Sequence, residues 1–164
     1  RRRLSITDRD FLRHTVATLA YRAAKTMRGA PESFANFKPG PTSQTPLQIV
    51  AHMGDLFDWG LTMLSGTPKW NTAIPQSWTK ECARFFAALK KFDDALATDV
   101  QIKYELTLIF QGPIADALTH TGQLASLRRL HGFPMKGESY TRADIVIGRV
   151  TAEQTPANPK YEFD

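Results

Sequence analysis

An all-α fold, a four-helix bundle with long connections and an extended C-terminal tail, is predicted by three features of the sequence. Apolar residues recur at helical spacing in four stretches of about 18–22 residues each. Cap-forming residues open these stretches, and Gly or Pro closes most of them. The one segment suited to either state, residues 102–110, has no clear strand partner elsewhere, so it is read as helical. The 164 residues fit one domain spanning 1–164, with a tail from about residue 137 packed on it.

The first helix is expected over 7–27. Thr7 with Asp10 forms a variant capping box, and Leu12, Val16, Leu19, Ala20, Ala23 and Met27 make one apolar stripe. Gly29 and Pro31 stop it. A connection over 31–44 follows, anchored to the bundle by Phe34 and Phe37. The second helix starts from Thr45 as cap, Pro46 as first residue and Gln48 as third. Its stripe is Leu47, Val50, Met53, Leu56, Phe57, Leu61 and Leu64, and Gly66 and Pro68 end it. Residues 70–75 are a second loop. The third helix, 77–97, buries Cys82, Phe85, Phe86, Leu89, Phe92 and Leu96, and turns Lys80, Lys90, Lys91, Asp93 and Asp94 to water. The fourth is expected over 113–130, with Pro113 in its first turn and Gly132 at its end. Beyond Lys136 the chain has no helical signal. It reads as a strap attached through Tyr140, Ile145, Ile147 and Val150.

Composition narrows the function. Hydrophobic residues at 42% and charged residues at 23% are ordinary for a globular chain, and no apolar run approaches the ~20 residues of a membrane span. No apolar core of roughly 7–15 residues follows Arg1, Arg2 and Arg3, so they do not read as a signal peptide, and a cytoplasmic protein is expected. The single cysteine, Cys82, excludes an internal disulfide framework and a cysteine-cluster zinc site. It reads as a small buried residue. Of the net charge of +5, the three terminal arginines leave only about +2 for the rest. Aromatics do not interleave with the remaining cations, so nucleic acid is not an expected partner.

Chemistry concentrates on the histidines. His131 closes the fourth helix, where it can bond terminal carbonyls and favour the negative end of the dipole. His14 lies off the apolar stripe. His52, flanked by Val50, Ala51 and Met53, falls on or beside a buried face. His120 is four residues after Asp116. At about 100° per residue, Asp116, His120 and Gln123 share a face with Leu124 and Leu127, a face expected to point inward. An i,i+4 carboxylate and imidazole can hold one another or share a metal.

Two segments carry a resemblance. One is Leu47-Gln48-Ile49-Val50-Ala51-His52-Met53. The other is the run from Gln111 to Leu124, with Asp116 followed by Ala117-Leu118-Thr119-His120-Thr121-Gly122-Gln123-Leu124. Together they resemble the DinB-like (damage-inducible) bundle proteins over residues 7–131. That family carries one His in helix two and a His-x-x-x-His pair in helix four, with Gly-Gln close behind.

The resemblance implies a four-helix bundle of unusual helix order, often a dimer, holding a divalent metal, zinc or nickel, on three side chains. It implies a metalloenzyme acting as a hydrolase or as a thiol-dependent transferase on a small molecule. The chain departs from the pattern at Asp116, which replaces the first His of the pair. Either His52, Asp116 and His120 form a two-histidine, one-carboxylate metal site, or the site has decayed and Asp116 merely bonds His120. The first is the working expectation, with Gln123 supporting the ligands or meeting substrate. Its rival is a non-catalytic bundle with a degenerate site, serving as a binding or stress-response module.

Overall fold

The computed structural model describes residues 6–164. The three N-terminal arginines lie outside the described residues. The fold is all-α: α1 (Asp8–Met27), α2 (Pro46–Leu64), α3 (Trp78–Leu96), a short α4 (Leu106–Ile109) and α5 (Ala115–His131), with a π turn over Phe110–Ile114 joining the last two. Two residue pairs form the one small sheet among the described residues, antiparallel, with Gly137 opposite Phe163 (β1, Gly137–Glu138; β2, Glu162–Phe163).

The helix starts follow from side-chain chemistry. The Thr7 hydroxyl accepts from the Asp10 amide and donates to its carboxylate. Thr45 and Gln48 form a full capping box ahead of Pro46. Ser77 caps α3. At the far end of α5, Gly132 takes φ +90°. The Phe133 amide then donates to the Arg128 carbonyl and the Gly132 amide to that of Arg129, which is a Schellman ending.

α2 and α3 form the most extensive helix pair, α1 packs on α5 and α3, and α2 also meets α5. One core results, including Val16, Leu19, Met53, Phe57, Phe85, Leu89, Phe92, Ile109 and Leu124, all fully buried. Phe57 meets Phe92 edge-on at 5.4 Å and Phe85 at 6.1 Å. Phe34 is fully buried and Phe37 packs on the core, so the 31–44 connection is anchored as expected.

Four expectations need correction. Asp93 is not on the solvated face of α3: it is 1% exposed and takes a bidentate ion pair from Arg13 of α1, both contacts at 2.9 Å. The last long helix does not begin at Pro113. Helical turns begin at Leu106, while 102–105 are not helical, and the π turn carries Pro113 inside a continuous helical path. A wider turn tolerates a residue with no N–H and adds one residue, rotating everything after it. His131 does not serve helix-end carbonyls through a ring nitrogen. Its ring packs among Phe34, Phe37 and Phe133, and its Nδ1 is buried without a partner. Finally, the Asp116 face lies at the rim of the core rather than inside it, as described below.

The tail docks through charge as well as apolar contact. Val150 is 1% exposed and Ile145 packs on the core. Buried Glu138 accepts from the Tyr21 hydroxyl at 2.7 Å and from Lys25 at 2.8 Å, and Lys25 also reaches Glu162. Burial and the bond to Glu138 push the Tyr21 phenol well up. Burial alone would lower Lys25, but its bonds to Glu138 and Glu162 outweigh that and raise it. Both folded values lie above the unfolded ones, so their stabilisation is complete below about pH 10 and is lost as pH rises through the folded values. Thermal melts from pH 8 to 11 should therefore stay level to about pH 9.5 and then fall. Tyr21→Phe should flatten that fall and cost about 1.5–3 kcal/mol at neutral pH.

Candidate metal centre

α2 supplies His52, and the start of α5 supplies Asp116 and His120. Asp116 comes two residues after the π turn ends, so the extra residue in that turn sets the rotation with which Asp116 and His120 leave the helix. π turns of this kind gather at functional positions.

The three side chains converge. Each offers one ligand atom, and these atoms all lie within 4.8 Å of one another. Asp116 Oδ2 stands 3.2 Å from His52 Nε2, and Asp116 Oδ1 stands 3.4 Å from His120 Nε2. The imidazole rings are 4.9 Å apart and nearly perpendicular. The side chains are half-buried: His52 is 32% exposed, Asp116 44% and His120 13%. Leu124 and Leu127 on the same helix are buried, so this face of α5 straddles the boundary between core and solvent. The cluster opens to water, whereas its face was expected to point inward.

Gln123 lies within hydrogen-bond reach of His120. His120 Nδ1 donates to Gln123 Oε1 at 2.7 Å. In neutral His120 that bond leaves Nε2 as an acceptor, and the acceptor faces a second acceptor, Asp116 Oδ1. A cation between these two acceptors, 3.4 Å apart, would satisfy both. The donor set is two imidazole nitrogens and one carboxylate oxygen, which suits a borderline divalent ion. These residues fit such an ion, and they could hold one.

One neighbour was missed by reading the sequence. Trp70, read only as the start of a loop, lies 5.6 Å from the His52 ring and meets Trp59 edge-on at 5.7 Å. Its loop is pinned to α2: the Ala73 amide donates to Asp55, and the Lys69 amide donates to the Thr62 hydroxyl. Asp55 is itself buried against Arg84, which also binds Glu81. A tryptophan in a polar loop is a signal in its own right, because so large an apolar surface normally covers something.

The other candidates carry no such chemistry. Burial pushes the Cys82 thiol up to about 12, so it stays protonated and unreactive at neutral pH. His14 is half-buried on α1, away from the cluster. No described helix is long and apolar enough to cross a membrane. Compared with family models, with curated proteins and with solved structures, the chain matches none.

Proposed function

We propose that the chain is a DinB-like four-helix-bundle metalloprotein whose His52, Asp116 and His120 hold zinc or nickel. On this reading it acts on a small molecule, as a hydrolase or as a thiol-dependent transferase. The observation that carries the reading is the carboxylate of Asp116 set between two imidazole Nε2 atoms, one of which is turned toward it by Gln123. Three protein donors, one of them anionic, match the donor number of catalytic zinc sites.

When bound, the ion supplies Lewis acidity, which lowers the pKa of a coordinated water or thiol. The chain does the rest. Gln123 fixes the tautomer and orientation of His120. Asp116 offsets the charge of the ion. Trp70, backed by Trp59, stands as an aromatic wall beside His52, where an apolar part of a substrate can lie. The half-exposed cluster admits a small molecule directly from solvent.

The test is turnover. Protein reconstituted with zinc or nickel is assayed with a small thiol plus an activated electrophile, and separately with an activated ester. Rate above background with one pair, lost on chelation and in Asp116→Ala, is the expected result. Stoichiometric metal with no turnover of either pair would favour the binding-module reading. A related measurement isolates Gln123: Gln123→Ala should weaken metal affinity by about 10–100-fold, because His120 loses its orienting acceptor. Competition against a metallochromic indicator reads that change, and an unchanged affinity would remove Gln123 from the site.

A further inference from the structure

Away from the metal cluster, the tail crosses α1 and leaves a groove of about 580 Å³. His14, Thr18 and Arg22 follow one another at four-residue spacing along one stripe of α1, and Ser139, Tyr140 and Thr141 of the tail face them across the groove. No Asp or Glu lines it.

Arg22 is the unusual member. The other arginines that are not fully exposed, Arg9, Arg13, Arg84, Arg128 and Arg149, each donate to a carboxylate or to backbone carbonyls. Arg22 has no such partner among the described residues, and its Nε is buried with no hydrogen bond. What it has is the Tyr140 ring, 4.1 Å from its Cζ. That contact fixes the guanidinium in place but satisfies none of its fork of N–H donors. A half-buried cation left unpaired is costly. Across the groove, the Ser139 and Thr141 hydroxyls make no hydrogen bond within the described chain. The groove therefore offers one positioned guanidinium, an imidazole and uncommitted hydroxyls, and no competing carboxylate.

We propose that this groove binds a small phosphate-like oxyanion, held by Arg22 with His14 and the hydroxyls of Ser139 and Thr141. Guanidinium binds such groups through paired N–H donors, and hydroxyls complete the shell of acceptor oxygens. No residue of the groove belongs to the metal cluster, so this inference stands or falls independently of the metal reading.

The 164-residue chain, labelled with ¹⁵N, is titrated at low salt with inorganic phosphate and, in parallel, with phenyl phosphate. Saturating shifts at the amides of Ser139, Tyr140 and Thr141 are expected, weakened about tenfold or more in Arg22→Gln and less so in Arg22→Lys. Tighter binding of phenyl phosphate would assign the site to the phosphate of a larger molecule, and equal or weaker binding to the free ion. Shifts that fail to saturate, that scatter over the basic surface, or that persist unchanged in Arg22→Gln would overturn the proposal. Should Arg22→Gln not fold, the double variant Ser139→Ala, Thr141→Ala removes two donors that hold nothing else. Unchanged affinity there would count against the site, and weakened affinity for it.

Discussion

Reconstituted with zinc or nickel and then desalted, the wild-type chain is expected to retain about one ion per chain, while His52→Ala and His120→Ala retain almost none. Each variant removes one of two nitrogen donors from a set of three whose ligand atoms lie within 4.8 Å of one another. Loss of a supporting residue typically costs 10–100-fold in metal affinity, and loss of a ligand should cost more than about 100-fold. Elemental analysis of the three proteins, before and after chelation, reads the result. Stoichiometric metal in both histidine variants would show that the ligands lie elsewhere.

The same variants should fold normally. The sequence alone suggests that removing His120 leaves a buried, unpaired Asp116 and disturbs the core. Asp116 is 44% exposed, so its carboxylate keeps its water when His120 is gone. The metal-free variants should thus melt within about 0.5 kcal/mol of the metal-free wild type. Chelated wild type should also keep its helical signal, since none of the three side chains belongs to the apolar core. Loss of metal and loss of fold are separable here, which makes the stoichiometry interpretable.

What could be read in the sequence was local. Thr45, Pro46 and Gln48 announce α2 within four residues, and Gly132 ends α5, because capping chemistry acts over one turn. The Asp116–His120 pair is likewise an i,i+4 feature. His52 joins it across 64 residues, and only the resemblance to a known bundle pattern suggested that juxtaposition. Features set by distant partners stayed hidden. Asp93 looks solvated beside Asp94, yet Arg13, 80 residues away, draws it inside. Arg9 donates to the carbonyls of Leu96, Thr98 and Val100 and so closes the end of α3, a role that nothing near residue 9 reveals. The π turn was misread because Pro113 also suits a helix start, and no side-chain cap marks a turn that lies inside a helical path.

Arg128→Met is expected to give the largest stability loss of any single change discussed here, about 3 kcal/mol, with a fall in melting temperature on the order of 10 °C. Arg128 sits in an Arg-Arg pair that reads as surface charge, but it is 7% exposed. Its Nη1 donates to the carbonyls of Thr26 at 3.1 Å and Arg28 at 2.7 Å, at the end of α1, and its Nε donates to Phe133 at 2.9 Å, beyond the end of α5. One guanidinium thus serves two helix ends, and both carry the negative pole of the helix dipole. Burial lowers its pKa, but guanidinium remains charged throughout the working range. Replacing a buried ion pair with apolar side chains is sometimes neutral, because both charges disappear together. That escape is closed here, since the partners are backbone carbonyls, which no substitution removes. Methionine would fill the volume and leave the Thr26 carbonyl buried and unmet, with those of Arg28 and Phe133 half-buried and unmet. Arg128→Lys should recover only part of the loss, because an ammonium cannot place donors on both helix ends at once. Urea denaturation of the three proteins tests the ordering, and an Arg128→Met variant within about 0.5 kcal/mol of wild type would mean that water reaches the α1 carbonyls after all.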